Sequence, residues 1–249
     1  MLVIKAGGSA ITHKSRPYTA NKEAMRNLAT QLAGLDEQVI LIHGVGSFAH
    51  PPAKQYRIDL GSDGTHERIY GLAVTHFRAG ELAQMLIGVL IDAGLATLYC
   101  RASSLFVTRQ RRIATFFSEP IERYLDLGLI PVIHGDGPAD RSQGFCVLSG
   151  DQIAVDMARR FRARKVIFCM DVPGILREGR VIDRLRFGQI DDLYRHIADN
   201  HDASGGLMAK LLEIRTLQPA GIPAQLVTLQ NNTDLLAAAR DQTIGTLID

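Results

Sequence analysis

Two glycine-rich segments each follow an apolar run and carry groups suited to phosphate chemistry: Lys5-Ala6-Gly7-Gly8-Ser9 and His43-Gly44-Val45-Gly46-Ser47-Phe48-Ala49-His50. A strand that breaks into glycine brings backbone N–H groups close to an anion, because no Cβ blocks the approach. Lys5 adds a point charge beside the first pair, and His50 adds a donor that titrates near neutral pH. Asp202-Ala203-Ser204-Gly205-Gly206-Leu207-Met208-Ala209-Lys210 repeats the theme at a helix start. Amides at 204–206 would point at an anion there, and Lys210 lies one helical turn on, facing the same end. Ser149-Gly150-Asp151 opens another helix, with Asp151 read as a cap and Gly150 as a close backbone approach. Asp171-Val172-Pro173-Gly174 follows one more apolar run.

Several other chemistries are missing from the sequence. No Gly-Lys dipeptide occurs, so there is no Walker A loop, and GxSxG, HExxH and the protein-kinase signature set are absent. Gly44-x-Gly46-x-x-Ala49 fits a dinucleotide fingerprint, which requires a helix opening at once and an acidic residue closing the next strand. Pro51-Pro52 follows His50, and no strand precedes Asp59 or Asp63, so that reading fails. An anion pocket that uses His50 remains. His43 and His134 end strands near such a site, and His13, His66, His76, His196 and His201 read as surface or core residues.

The elements that position these groups follow from hydrophobic pattern. Apolar runs recur at 2–6, 39–43, 96–100, 129–134, 165–170 and 224–229. Helical patterns alternate with them: one capped by Asn21 with Met25, Leu28, Leu32 and Leu35 on a stripe, one over 66–94 closing on Gly94, and two over 151–163 and 206–218. Short runs that are apolar throughout, alternating with helices, predict a mainly parallel sheet covered on both faces. Residues 175–185 read as a hairpin around Glu178-Gly179, and RQRR (109–112) as a polar hairpin or loop. The basic stretch ARRFRARK reads as a solvated helix end, with a soft boundary near 163–165.

Bulk properties bound the rest. A chain of 249 residues can bury a full core, and a net charge of +2 is too small to imply a nucleic-acid or membrane partner. Arginine outnumbers lysine 22 to 6, and Lys5, Lys14 and Lys210 all fall by glycine-rich or loop segments. Cys100, Cys146 and Cys169 lack metal or CxxC spacing and read as buried free thiols of a reducing compartment. No signal peptide or transmembrane run is expected, which makes the cytoplasm the default.

Taken in order, KAGGS (5–9), HGVGSFAH (43–50), HGD (134–136), SGD (149–151), DVPG (171–174), DASGGLMAK (202–210) and GTLI (245–248) resemble the amino acid kinase superfamily nearly end to end. ITHKSRPYTAN (11–21) and the histidine ending GxGSFxH most resemble its isopentenyl phosphate kinase family. The resemblance implies an α/β fold, a three-layer α/β/α sandwich with a mainly parallel open sheet. It implies one domain over 1–249, with an acceptor lobe at 1–163 and a nucleotide lobe at 164–249. The implied reaction is ATP-dependent phosphorylation of isopentenyl phosphate, with dimethylallyl phosphate a further candidate acceptor. A homodimer and magnesium brought with ATP are also implied, and no metal ligand from the chain.

By motif position, Lys5 and Lys14 would neutralise the phosphoryl group in flight. His50 would hydrogen-bond the acceptor phosphate, beside the backbone of Val45 and Gly150. Lys5, Gly7, Gly8, Ser9, Gly46, Asp171, Gly206 and Lys210 would line the nucleotide. An apolar tail has candidate neighbours in Leu72, Val74, Phe77, Met85 and Ile87. Val45 and Ala49 stand where the family pattern has glycine, and positive φ at Val45 would strain its branched side chain. A fosfomycin-type phosphonate kinase shares similar motifs, and a non-catalytic nucleotide sensor could keep the fold. The PYTAN stretch favours the prenyl acceptor, and the joint presence of Lys5, Lys14, Asp171 and Lys210 argues against the sensor.

Overall fold

The computed structural model describes residues 1–193, 195 and 205–249. Its strands are β1 (Leu2–Ala6), β2 (Val39–His43), β3 (Thr97–Cys100), β4 (Phe106–Arg109), β5 (Arg112–Phe116), β6 (Ile130–His134), β7 (Ala139–Asp140), β8 (Gly144–Phe145), β9 (Lys165–Met170), β10 (Leu176–Arg177), β11 (Arg180–Val181), β12 (Arg184–Leu185), β13 (Ala224–Thr228) and β14 (Thr246–Ile248). The helices are α1 (Gly8–Ile11), α2 (Lys22–Ala33), α3 (Gly46–Gln55), α4 (His66–Asp92), α5 (Ala102–Leu105), α6 (Glu119–Asp126), α7 (Gly150–Arg160), α8 (Gly205–Arg215) and α9 (Asp234–Ala239).

Eight strands form one sheet in the order β12-β14-β13-β9-β1-β2-β6-β3. Every pairing in it is parallel except β13 with β14. The central strands are apolar along most of their length because both faces are covered, with Lys5, His43 and His134 at or near their carboxyl ends. Val3, Ile40 and Ile42 join Ile153, Met157 and Leu211 in one core, while Leu2, Ile4 and Leu41 join Met25, Leu28, Leu82 and Leu86 in the other. The α/β/α expectation holds. The boundary read near 163–165 falls between α7 and β9, and β9 pairs directly with β1.

Local signals do what their chemistry predicts. The Asn21 side chain accepts from Ala24 N–H at the start of α2. Gly94, at φ +81°, ends α4 with its N–H bonded to the Ile91 carbonyl. Glu178 and Gly179 make the β10–β11 turn, and β4–β5 is a hairpin closed by Gln110 and Arg111. All three cysteines are buried and free. No described helix is long and apolar enough to cross a membrane.

One expectation is corrected. Pro51-Pro52 does not end the segment after Gly46, because α3 opens directly at Gly46 and runs through both prolines to Gln55. Each proline forfeits a helical N–H, so this helix relies on packing, with Phe48, Ala49 and Pro52 buried. The dinucleotide reading still fails, since the next strand, β3, ends at Cys100 rather than at an acid.

Candidate active site

The site lies at the carboxyl ends of β1, β2, β6 and β9, where loops of an open parallel sheet converge. Its floor is backbone against backbone. A Cβ on Gly8 would collide with the Gly46 amide, and one on Gly44 with the Gly8 amide. Gly46 takes φ +42° with the Thr12 hydroxyl filling the space a side chain would need. Val45 sits at φ −99°, in the right-handed region, so the strain expected of it does not arise. The glycine after it carries the turn instead.

Gly150 begins α7 against this floor. A Cβ there would lie 3.2 Å from the His43 carbonyl and 3.5 Å from Lys5 Cε. Ser149 is the cap, accepting from Gln152 N–H at 3.1 Å, so Asp151 is not the cap that the sequence suggested. Asp151 turns inward instead. Its Oδ1 meets Lys5 Nζ at 2.8 Å, and its two oxygens meet Lys210 Nζ at 2.8 and 2.9 Å. Burial pushes the Asp151 carboxyl up, but the Lys5 and Lys210 charges outweigh that and hold it at about 2. Burial and then the Lys5 charge pull Lys210 down to about 8, against the opposing pull of Asp151. Lys210 also lies 4.8 Å from the centre of the Phe168 ring. The result is two nearly buried ammonium groups held beside amide-rich backbone.

A second pair lies nearer solvent. Lys14 Nζ meets Asp171 Oδ2 at 2.7 Å, and the Ser9 hydroxyl donates to Asp171 Oδ1 at 2.9 Å. Burial raises the Asp171 carboxyl, but the bonds from Lys14 and Ser9 hold it below the ordinary range. A cleft of about 430 Å³ opens here, lined by Ser9, Thr12, His13, Lys14, Asn27 and Asp171 among others. Lys5, Asp151 and Lys210 do not line it. His50 stands on the exposed side of α3. Partial desolvation of its ring, and then the nearby Lys5 charge, lower its pKa, so it is neutral at pH 7.

The structure thus brings Lys5, Lys210, Gly7, Gly8, Gly46 and Gly150 into one cluster, with Ser9, Lys14 and Asp171 beside it. Gly206, one turn before Lys210 on α8, is exposed, and a Cβ on it would meet open space. Asp202, Ala203 and Ser204 lie outside the described residues. Phe77 and Met85 are exposed, while Leu72 packs into the room left by Gly137. The HGD motif, to which the sequence assigned no role, supplies a buried polar group at the carboxyl end of β6. Asp136, its side chain fully enclosed, accepts from His76 at 2.8 Å and from Ser103 N–H at 3.0 Å. His43 is entirely buried and held at about 3 by desolvation and the neighbouring His134, so it is neutral. Among the described residues no group of three His, Cys, Asp or Glu side chains could hold a metal.

Two cations held by one carboxylate over a glycine floor make a site for polyanionic phosphate rather than for nucleophilic or redox chemistry. Comparison with known proteins agrees. The amino acid kinase family model matches residues 1–228. Isopentenyl phosphate kinase of Thermoplasma acidophilum is 31% identical over 212 residues, covering 84% of each chain. The enzyme of that name from Methanothermobacter thermautotrophicus is 29% identical over 244 residues, covering 91% of this chain and 90% of its own. A crystal structure of the T. acidophilum isopentenyl phosphate kinase product complex matches with a TM-score of 0.83 at 25% identity, over the full length of both chains. The chain belongs to the amino acid kinase family, on its isopentenyl phosphate kinase branch.

Proposed function

We propose that this chain transfers the γ-phosphoryl group of ATP to isopentenyl phosphate, giving isopentenyl diphosphate and ADP. The observation that carries the reading is the Lys5–Asp151–Lys210 cluster set against the Gly8–Gly46 floor. An acceptor phosphate oxygen attacks the γ-phosphorus, the new O–P bond forms, and the bond to the β-phosphate oxygen breaks with ADP leaving. The acceptor is largely ionised near pH 7, so no general base is required. What the protein supplies is alignment and fixed positive charge in a site of low dielectric. Lys5 and Lys210 meet charge on the transferring group, and Lys14 joins them by leaving Asp171. His50, neutral, donates a hydrogen bond to the acceptor phosphate beside the amides of Val45 and Gly150.

In this reading residues 1–163 hold the acceptor and 164–249 the nucleotide, with Gly7, Gly8, Ser9, Gly46, Asp171, Gly206 and Lys210 along ATP. The apolar tail runs toward α4, where Leu72 lies over Gly137. Magnesium would come with ATP as its phosphate complex, since Asp151 is already engaged by both Lys5 and Lys210. A homodimer is supported by the exposed stripe of α4 that carries Ile69, Tyr70, Phe77 and Ile91, which a second copy would cover.

Coupled ADP release tests the assignment across isopentenyl phosphate, dimethylallyl phosphate, fosfomycin and uridylate. The highest kcat/KM is expected with isopentenyl phosphate. An equal or higher value with fosfomycin overturns the prenyl acceptor, and no turnover with any of the four overturns the kinase.

A further inference from the structure

The turn Arg109-Gln110-Arg111-Arg112 between β4 and β5 has no part in the chemistry above. Its central residues carry φ +50° at Gln110 and +64° at Arg111. Two-residue hairpins of this geometry ordinarily recruit Asn and Gly, so the chain maintains an unfavourable backbone here with long polar side chains.

Four contacts hold the turn, one of them from Arg111 Nη2 to the Asp59 carbonyl at 2.7 Å. Arg111 N–H donates to Asp140 at 2.9 Å. The Arg111 carbonyl accepts from Gln152 Nε2 at 3.2 Å, and Gln152, itself buried, is the residue after Asp151. Arg112 makes a two-pronged pair with Glu213, at 2.6 and 3.0 Å, and Glu213 lies one helical turn beyond Lys210. One turn therefore grips both helices whose side chains meet in the buried cluster: α7 next to Asp151 and α8 next to Lys210. The helices also pack on each other. Apolar packing sets their spacing. A planar guanidinium–carboxylate fork fixes direction as well as distance.

We propose that the 109–112 turn is an inter-helix clamp, in which Arg112 and Glu213 are positioning residues that fix Lys210 against Asp151 and so against the phosphates of the nucleotide. Neither residue touches the reacting atoms. The clamp rests on the phosphotransferase reading and deepens it.

The test compares Arg112→Ala, Glu213→Gln, the charge-swapped Arg112→Glu/Glu213→Arg and the control Arg109→Ala, an exposed residue of the same turn. Each is assayed with ATP and isopentenyl phosphate and melted thermally. Misplacement of a charge by a fraction of an ångström predicts a fall in kcat of about five- to thirty-fold for either single variant. KM for ATP should rise, while KM for isopentenyl phosphate stays within about two-fold and the melting temperature barely moves. The swapped pair should recover part of the lost rate, and Arg109→Ala should match the wild type. Arg112→Lys keeps the charge but loses the fork, and it should show the same signature at smaller size should Arg112→Ala fold poorly. Rates unchanged in the single variants overturn the clamp, as does a loss that follows melting temperature, moves both KM values together and is not rescued by the swap. An inactive wild type overturns the phosphotransferase reading itself, which separates the two failures.

Discussion

Asp151 and Asp171 each hold lysine at the carboxyl ends of the central strands, under opposite conditions. Asp151 lies beneath Lys5 and Lys210, whose side chains are each 9% exposed. Asp171 holds Lys14, whose side chain is 69% exposed. A charge in a dry site acts strongly on its neighbours, and its partners must be fixed as the chain folds. A single-pronged pair in water contributes about 0–1 kcal/mol and opens freely. The difference teaches a division of labour under the proposed phosphotransferase reading: the buried cluster would be set before substrate arrives, whereas Lys14 would trade its carboxylate for a phosphoryl group.

The comparison breaks most sharply at Asp151. Asp151→Asn leaves two buried ammonium groups without a counter-charge, which predicts a loss of about 3–5 kcal/mol in unfolding free energy by urea titration. The kcat should fall by roughly 10²–10³ as the preorganised charge is lost. Wild-type stability in that variant would refute the buried cluster as described. A smaller effect comes from pH. Lys210 is held at about 8, so it is charged below that value and neutral above it. The kcat/KM for ATP, which reports the free enzyme, should therefore fall as pH rises through about 8. Lys210→Arg stays charged and should lose that limb of the profile, even with a lower plateau. The smallest effect is expected at Asp171. Asp171→Asn should lower the melting temperature by no more than about 2–4 °C, as an exposed pair in a chain of this size permits. A loss matching that of Asp151→Asn would erase the distinction.

Much of the fold was legible because its signals are local. The runs at 2–6, 39–43 and 165–170 are buried strands over those same residues, since a strand covered on both faces has no reason to alternate. Asn21 and Gly94 act through backbone geometry within one turn, so their spacing suffices. The site was only half legible for the opposite reason. Lys5 and Lys210 stood out by their glycine neighbours, but Asp151 sits just after a serine cap and looked like part of it. What defines Asp151 is a lysine 59 residues away and another from the first strand. Arg112 and Glu213, 101 residues apart, left no trace in either local pattern. Val45 misled in the other direction. The positive φ belongs to Gly46, one residue on, and a bulky side chain before it is harmless.

The contact of Gly8 with Gly44 and Gly46 bears on how such an enzyme can diversify. Because each glycine occupies space that the other's side chain would need, no single substitution can enlarge or reshape this floor without a clash. Change at one position requires a simultaneous shift of the opposite loop, and every intermediate carries a steric clash. Under the proposed reading, new acceptors would be accommodated from the walls, by exchanges along α4 and the strands beside it, while the floor descends unaltered.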